Sequence, residues 1–300
     1  MIDIADIQAD IIKIENAPHI FDSLDFSRRA NAIDFIDFHI VGRLDSLRQS
    51  SCNIPQLGQL ERRAQKLKQK LENIDNILFK ELRENILPGI AFKDVVQKYV
   101  GQTTADNLLN EPGYDVLDNF INCLLCCDAL PEATKNRENE MVFYQQTPAR
   151  IIFQLAEMTQ LKADDVFFDI GSGLGQVGML VNLLTGAKTI GIEYEPAYCD
   201  YAKKCAAQFN LTDVKFLNTD ARRANYSGGT VFFMYTPFGG DMLQQMLDIL
   251  RHQAKKKAIR IFTYGPCSPV IARQCWLKCT NGDGNDIYKL YEFRSTMPAI

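Results

Sequence analysis

The fold of this 300-residue chain is decided by the stretch Asp165-Val166-Phe167-Phe168-Asp169-Ile170-Gly171-Ser172-Gly173-Leu174-Gly175-Gln176. It reads as a buried strand that ends in an acidic residue and runs directly into a glycine-rich turn. A second acid, Glu193, follows another apolar strand, Thr189-Ile190-Gly191-Ile192. A strand, a glycine turn, a helix, a strand and an acid form the first half of a nucleoside-binding βαβ unit, in which the acid accepts hydrogen bonds from the ribose.

Two kinds of nucleoside ligand fit this pattern. Gly173-x-Gly175-x-x-Gly178 matches the dinucleotide fingerprint, which makes NAD an alternative. Asp169 argues against NAD, because a carboxylate two residues before the turn would repel a pyrophosphate. The same carboxylate suits a ligand that carries a sulfonium and an amino acid. Gly171 extends the turn upstream to Asp-x-Gly-x-Gly-x-Gly.

The extended turn resembles motif I of the class I S-adenosylmethionine-dependent methyltransferases. Three segments resemble the family's later motifs in the same order: Gly191–Pro196, Val214–Asp220 and Val231–Phe238. The resemblance implies S-adenosyl-L-methionine as cofactor, with Glu193 on the ribose and Asp220 facing the adenine amino group. Glu195 is the alternative ribose partner, and Asp169 could instead cap the following helix. The implied cofactor-binding residues in the turn are Asp169, Gly171, Gly173, Gly175 and Gln176.

The segment before motif I narrows the resemblance. Phe143-Tyr144-Gln145-Gln146-Thr147-Pro148 precedes a predicted helix at 149–159, with Thr147 as its N-cap. This arrangement is similar to that of the histone-lysine methyltransferases without a SET domain, named for disrupting telomeric silencing. Those proteins carry Tyr-Gly-Glu where Gln145-Gln146 follow Tyr144 here. The resemblance implies that Tyr144 and Thr147 fold over the methionine part of the cofactor, and that a protein lysine nitrogen is the acceptor.

The last of these segments, Val231–Phe238, resembles the family's motif IV but does not identify the group that accepts the methyl. Amino-group methyltransferases often show Asn or Asp, then Pro, then an aromatic residue, and this chain has Thr in the first position. The alternatives are therefore a small-molecule or nucleic-acid methyltransferase, or a non-catalytic module that binds the cofactor or docks a partner. A strand end with a turn-forming proline also accounts for the segment. The candidate catalytic residues are Tyr235, Thr236, Pro237 and Phe238.

Apolar spacing predicts two domains. Residues 1–140 read as a helical accessory domain that helps select the acceptor, with a long amphipathic helix at 57–82 that ends at Pro88-Gly89. Residues 141–300 read as the methyltransferase domain. Its fold class is α/β, a Rossmann-like sheet that is mostly parallel and ends in an antiparallel hairpin at 275–294. The predicted parallel strands are 165–170, 188–193, 214–217, 230–235 and 258–264.

Charge and composition constrain the function less strongly than the motifs do. Residues 1–140 hold 23 acids and 16 bases, so this half could attract a basic protein substrate, although ordinary surface charge explains the balance too. A basic run at 62–70 reads as a solvated helix face, with phosphate or nucleic-acid binding as the alternative. A ligand-like spacing is found in two groups of cysteines, Cys123, Cys126 and Cys127, and Cys275 and Cys279. Both groups lie inside apolar patterns, so these cysteines read as buried apolar residues, and we expect no metal site. The acidic start and the lack of a long apolar run predict a cytoplasmic protein without a membrane segment, and leave nuclear location or unconventional secretion open.

Overall fold

The computed structural model describes residues 4–50, 55–86, 90–101, 116–125 and 129–296. The chain forms two compact units. The first comprises Met1–Asn85 with Asp94–Leu124, and the second comprises Ile86–Lys93 with Leu125–Ile300. Residues 129–140, which the sequence analysis assigns to the helical domain, are thus part of the second unit. The accessory role of the first unit stays a prediction.

The first unit is helical. Its elements are α1 (Ile4–Glu15), α2 (Phe26–Phe35), a π-helical turn (Ile36–Val41), α3 (Gly42–Ser50), α4 (Pro55–Asn85), most of α5 (Ile90–Val100) and α6 (Val116–Leu125). The predicted long helix is present as α4, but its predicted end at Pro88-Gly89 lies outside the described residues. Side chains spaced three and four residues apart on α4 pack into one core with α1, α2 and the π-helical turn, because this spacing places them on one face.

A buried ion pair ties α2 to α4. The Arg29 side chain is fully buried, and its Nε donates to Asp75 Oδ1 at 2.7 Å. The two terminal nitrogens of the guanidinium donate to the carbonyls of Asp22 and Ser23. Burial raises the pKa of Asp75, and the bond from Arg29 opposes that rise. Since every partner of the guanidinium lies in the protein, loss of this arginine would leave a buried carboxyl group without its cation.

The second unit is a seven-stranded sheet flanked by helices, in the order β3-β2-β1-β4-β5-β7-β6. β1 to β5 pair in parallel, and β7 is antiparallel to both β5 and β6. The predicted α/β sheet with a closing antiparallel hairpin is therefore confirmed. Its strands are β1 (Val166–Ile170), β2 (Lys188–Glu193), β3 (Val214–Asn218), β4 (Val231–Met234), β5 (Arg260–Thr263), β6 (Leu277–Cys279) and β7 (Tyr291–Ser295). Its helices are α7 (Ala149–Thr159), α8 (Gln176–Thr185), α9 (Pro196–Gln208), a 3-10 turn (Ala221–Arg223), α10 (Gly240–Ala254) and α11 (Ser268–Ala272).

The order of the strands in the sheet determines where a ligand site lies. β1 lies between β2 and β4, with Asp169 opposite Gly191 on one side and Phe233 on the other. The strand order reverses direction at β1, and in such sheets ligands bind beyond the carboxyl ends of the strands. The residues that follow β1, β2, β3 and β4 therefore meet at one edge.

No helix in the part of the chain that the structure describes is long and apolar enough to cross a membrane.

Candidate functional site

A cavity of about 360 Å³ opens at this edge of the sheet. Its lining comes from the glycine turn, the end of β2, the loop after β3, motif IV and a segment before α7. We call this last segment, residues 133–145, the strap. A second cavity of about 30 Å³ lies at the start of α8. Four residues line both cavities: Tyr144, Gln145, Gly171 and Tyr235.

The small cavity holds polar atoms that the described protein leaves unsatisfied. Asp169 is 3% exposed, and its Oδ2 has no hydrogen-bond partner. The Ser172 hydroxyl and both amide atoms of Gln176 are also buried and unpaired. Burial, with a further contribution from Glu193, raises the pKa of Asp169 to about 8. Since unpaired buried polar groups are costly, this cluster is arranged to meet a polar or cationic ligand group.

Glu193 lies at the end of β2 and lines the large cavity. Its Oε2 accepts a hydrogen bond from the Gly173 backbone at 2.7 Å, and its Oε1 accepts one from the Glu195 backbone at 2.8 Å. Burial raises the pKa of Glu193, and these backbone donors oppose that rise. Each carboxylate oxygen has a further lone pair, so Glu193 can accept from ligand hydroxyls while its position stays fixed.

Glu195, the alternative ribose partner, binds groups of the protein itself. Its side chain caps α9 by accepting from the Ala197 backbone at 3.0 Å. It also accepts from the Thr134 hydroxyl at 2.6 Å and the Lys135 backbone at 2.8 Å. Burial raises the pKa of Glu195, but these bonds outweigh it and lower the pKa to about 2. Glu195 therefore anchors the strap as an ionised carboxylate.

Glycines of the turn serve packing within the protein as well as access to the cavity. A Cβ on Gly171 would come within 2.4 Å of Pro237, and one on Gly173 within 2.4 Å of the Tyr144 ring. Both residues have positive φ, which side chains disfavour. Gly175 points away from the cavity, since its Cβ would meet Phe216 at 2.5 Å. The space beside Gly171 and Gly173, two of the implied cofactor-binding residues, is thus also occupied by side chains of motif IV and the strap.

Three further residues of the strap, Glu138, Glu140 and Met141, hold it over the large cavity. Glu138 pairs with Arg222 at 2.6 Å. The Glu140 carboxylate accepts from the first backbone amides of α10, at 2.7 Å from Met242 and 3.1 Å from Asp241. Met141 forms an isolated β-bridge with Phe238 of motif IV. The sequence analysis missed these anchors, because it placed the boundary between the two domains at residue 140 and so assigned most of the strap to the helical domain.

The strap places aromatic side chains at the cavity mouth. Phe143 is 73% exposed, and the Arg137 guanidinium lies 3.2 Å from its ring centre. The Tyr144 and Tyr198 rings lie 5.6 Å apart and both line the cavity. The mouth is therefore rich in ring faces, which attract alkylammonium groups.

The predicted N-cap at Thr147 is wrong by one residue. The N-cap of α7 is Pro148, whose ψ of 134° is not helical and whose carbonyl accepts from Ile151 and Ile152. Proline fixes φ but leaves ψ free, so its place at the first helical position was not assured. Thr147 is buried and lines the small cavity, so it lies beside Asp169 and Gln176 as a candidate ligand contact.

Motif IV follows β4, and all four candidate residues, 235–238, line the large cavity. Thr236 has φ +42°, a conformation that β-branched residues rarely adopt. Its hydroxyl accepts from the Cys267 backbone at 3.1 Å and lies 3.4 Å from the Tyr264 carbonyl. The hydroxyl thus holds the loop after β5. The Tyr235 ring lies 5.2 Å from that of Tyr264 and lines both cavities.

Asp220 also lines the large cavity, but its carboxylate is already engaged. It caps the 3-10 turn through the Arg222 backbone at 2.8 Å and receives the Arg222 guanidinium at 2.6 Å. These bonds from Arg222 lower the pKa of Asp220. Because Arg222 also binds Glu138, Asp220 is connected to the strap, a role that its position after β3 did not reveal.

The cysteines are less buried than expected. Cys123 and Cys275 are exposed and Cys279 is partly exposed, so the reading of these three as buried apolar residues is wrong. Cys275 lies in the turn before β6 and Cys279 is the last residue of that strand, where apolar periodicity no longer dictates burial, whereas Cys123 lies on the exposed side of α6. Cys126 and Cys127 lie outside the described residues. Among the described residues, no three His, Cys, Asp or Glu side chains are grouped as metal ligands.

Comparisons with known proteins show which family and which solved structures this chain resembles. Residues 135–234 match the model of a family described as histone methylation protein DOT1. No curated protein sequence matches the chain. The solved structures that resemble it include an RNA methyltransferase from Salinibacter ruber in complex with S-adenosyl-L-homocysteine, at 24% identity over 51% of this chain and 94% of that one, with a TM-score of 0.40. They also include precorrin-6y C5,15-methyltransferase from Geobacter metallireducens, at 15% identity over 53% and 94% with a TM-score of 0.38, and human methyltransferase 10 domain containing protein, at 15% identity over 50% and 83% with a TM-score of 0.37.

The matched segment begins in the strap and ends at β4, so it contains the glycine turn and the acids at the ends of β1 and β2, Asp169 and Glu193. The predicted resemblance is confirmed: the second unit has the fold of a class I S-adenosylmethionine-dependent methyltransferase and is close to the DOT1 type over residues 135–234.

Proposed function

We propose that this protein transfers a methyl group from S-adenosyl-L-methionine to a lysine nitrogen of a protein substrate. The observation that carries the cofactor part is Asp169, a buried carboxyl group with an unpartnered oxygen beside the glycine turn. A ligand with an ammonium group would satisfy it, whereas a pyrophosphate would not. The match to a histone methylation family over residues 135–234 supports the protein acceptor.

The residues present fit the cofactor. Asp169, Ser172 and Gln176 offer an acceptor, a hydroxyl and an amide to the amino-acid end, in the small cavity that Thr147 also lines. Glu193 would accept from the ribose hydroxyls in the large cavity. The four residues that line both cavities, Tyr144 and Tyr235 among them, would then surround the sulfonium. When bound, the cofactor supplies an activated methyl carbon.

The protein's part in transfer is to position and desolvate the acceptor. Tyr144, Tyr198 and Tyr235 provide ring faces that would guide the alkyl chain of a lysine and bind its ammonium. The nitrogen must lose its proton before transfer, and burial among these rings lowers the pKa of an amine. The partly exposed mouth leaves a route for that proton to water.

The test is transfer of a deuterated methyl group from the labelled cofactor. Core histones, a total protein extract, total RNA and a metabolite extract would each be incubated with the protein, and products read by mass spectrometry. We expect trideuteromethyl lysine in the protein samples, and loss of the signal with Asp169→Asn. Label only in RNA or in metabolites would contradict the lysine acceptor. Cofactor binding without label in any sample would favour a non-catalytic module.

A further inference from the structure

Helix α4 carries a line of cations on its solvent face. Arg62, Lys66 and Lys70 are exposed and follow one another at four-residue intervals, so they lie about 6 Å apart along the helix. All three line a shallow groove of about 620 Å³. The remaining lining residues are Glu15, Phe21, Gln59, Arg63 and Leu67.

Neighbouring charged side chains of this unit are paired with a side chain of opposite charge, whereas this line of cations is not. The single acid in the groove, Glu15, is held by Arg63, whose Nε donates to it at 2.9 Å. Lys68 on another side of α4 is paired with Asp37 at 2.6 Å. In the described part of the chain, no carboxylate lies within ion-pair distance of Arg62, Lys66 or Lys70. The Lys70 ammonium instead lies 3.7 Å from the ring centre of Phe21.

This arrangement is unfavourable for the helix itself. Like charges four residues apart destabilise a helix, and the line contains two such pairs. Surfaces built for solubility usually alternate the two signs. The first 140 residues also carry more acids than bases, so the concentration of positive charge here is not a consequence of composition. An external anion would remove the repulsion.

We propose that this groove binds the phosphate backbone of a nucleic acid. The line spans about 12 Å, the axial length of three to four phosphates on one strand of a duplex. A membrane-binding helix presents an apolar face next to its cations. The apolar face of α4 is buried in the core of its own unit instead, with Leu60, Ala64 and Leu71 among its members. A repeating polyanion therefore fits this surface better than a lipid bilayer.

The test uses the full chain and two variants of equal charge. The first variant is Arg62→Gln, Lys66→Gln, Lys70→Gln. The matched control removes three exposed lysines of the second unit: Lys162→Gln, Lys188→Gln, Lys215→Gln. Fluorescence anisotropy would follow binding to a labelled 20-base-pair DNA and to a single-stranded RNA of equal length, between 50 and 200 mM salt. Thermal unfolding and titration with S-adenosylmethionine would check that each variant is folded.

We expect the groove variant to bind DNA at least tenfold more weakly at 50 mM salt, and its plot of log affinity against log salt to be shallower by about 2 to 3. The control should behave like the wild type. Absence of nucleic-acid binding by the wild type, or equal losses in the two variants, would overturn the proposal. So would binding to vesicles of anionic phospholipid with none to DNA or RNA.

Discussion

The protonation of Asp169 makes affinity for the methyl donor depend on pH. Burial and the nearby Glu193 raise the pKa of this carboxyl group from 3.8 to about 8 when no ligand is bound. At pH 7 roughly one molecule in ten, and at pH 6 roughly one in a hundred, carries the carboxylate that an ammonium group requires. Binding must therefore expel a proton from most molecules.

Calorimetric titration with S-adenosylmethionine between pH 6 and 7.5 measures this effect. We expect the affinity to rise about eight- to tenfold from pH 6 to pH 7, with release of close to one proton per ligand at pH 7. The proton count follows from titrations in buffers of different ionisation heat. The ammonium group of the ligand itself titrates near pH 7.7–8.0, so the range stays below that value.

Asp169→Asn is the control, because it keeps the size of the side chain and removes its titration. The variant should bind more weakly at pH 7.5 and show little dependence on pH. Since the pKa of Asp169 is raised in the folded protein, its contribution favours folding at low pH and is lost as pH rises from about 4 to 8. Asp169→Asn should thus be more stable than the wild type at pH 8 and differ little at pH 4. A wild-type affinity that is flat with pH, or an equal slope in the variant, would refute the assignment.

Three further predictions concern the turn, motif IV and the first unit. Gly173→Ala places a Cβ within 2.4 Å of a tyrosine ring, at a backbone φ of +52° that side chains disfavour. We therefore expect this variant to have a melting temperature lower by roughly 2–8 °C and to bind the cofactor at least tenfold more weakly. The control is Gly228→Ala, whose Cβ meets nothing within 4 Å and which should leave both quantities unchanged. Thr236→Val leaves the Cys267 backbone N–H without its acceptor, so the free energy of unfolding in urea should fall by about 1–3 kcal/mol. The cofactor Kd should change less than threefold. A normal stability with lost cofactor binding would contradict this prediction. Arg29→Met leaves a buried carboxyl group without its cation and should cost about 3–5 kcal/mol in the same assay, whereas Arg63→Met at the partly exposed pair with Glu15 should cost much less; similar costs would show that burial of the first pair is unimportant.

The centre of the sheet could be predicted from the sequence because β1, β4 and β5 are buried on both faces. The apolar runs at 166–170 and 188–193 are bounded by an acid and by glycine, and the structure places strands there within a residue. The hairpin predicted at 275–294 is present, since β6 pairs antiparallel with β7, but residues 280–290 make the connection between the two strands longer than a tight turn. Local patterns of this kind are sufficient where burial and turn chemistry agree.

The contacts that complete the site could not be predicted in the same way. Glu195 and Glu140 act on partners about 60 and 100 residues away in the sequence, and no local pattern reveals such bonds. Charged stretches such as 131–140 usually indicate a linker, yet this one lies over the cavity because Glu138 pairs with Arg222 and Glu140 accepts from two backbone amides. Ser172 was overlooked although it lies inside motif I, since a serine between glycines is also an ordinary turn residue.

Calorimetric titration of the purified protein with S-adenosylmethionine, and separately with NAD, tests the central claim most directly. The account predicts binding of one molecule of the methyl donor, weakened by Glu193→Ala, and no binding of NAD. Binding of NAD without binding of the methyl donor would contradict the assignment of Asp169 and the glycine turn.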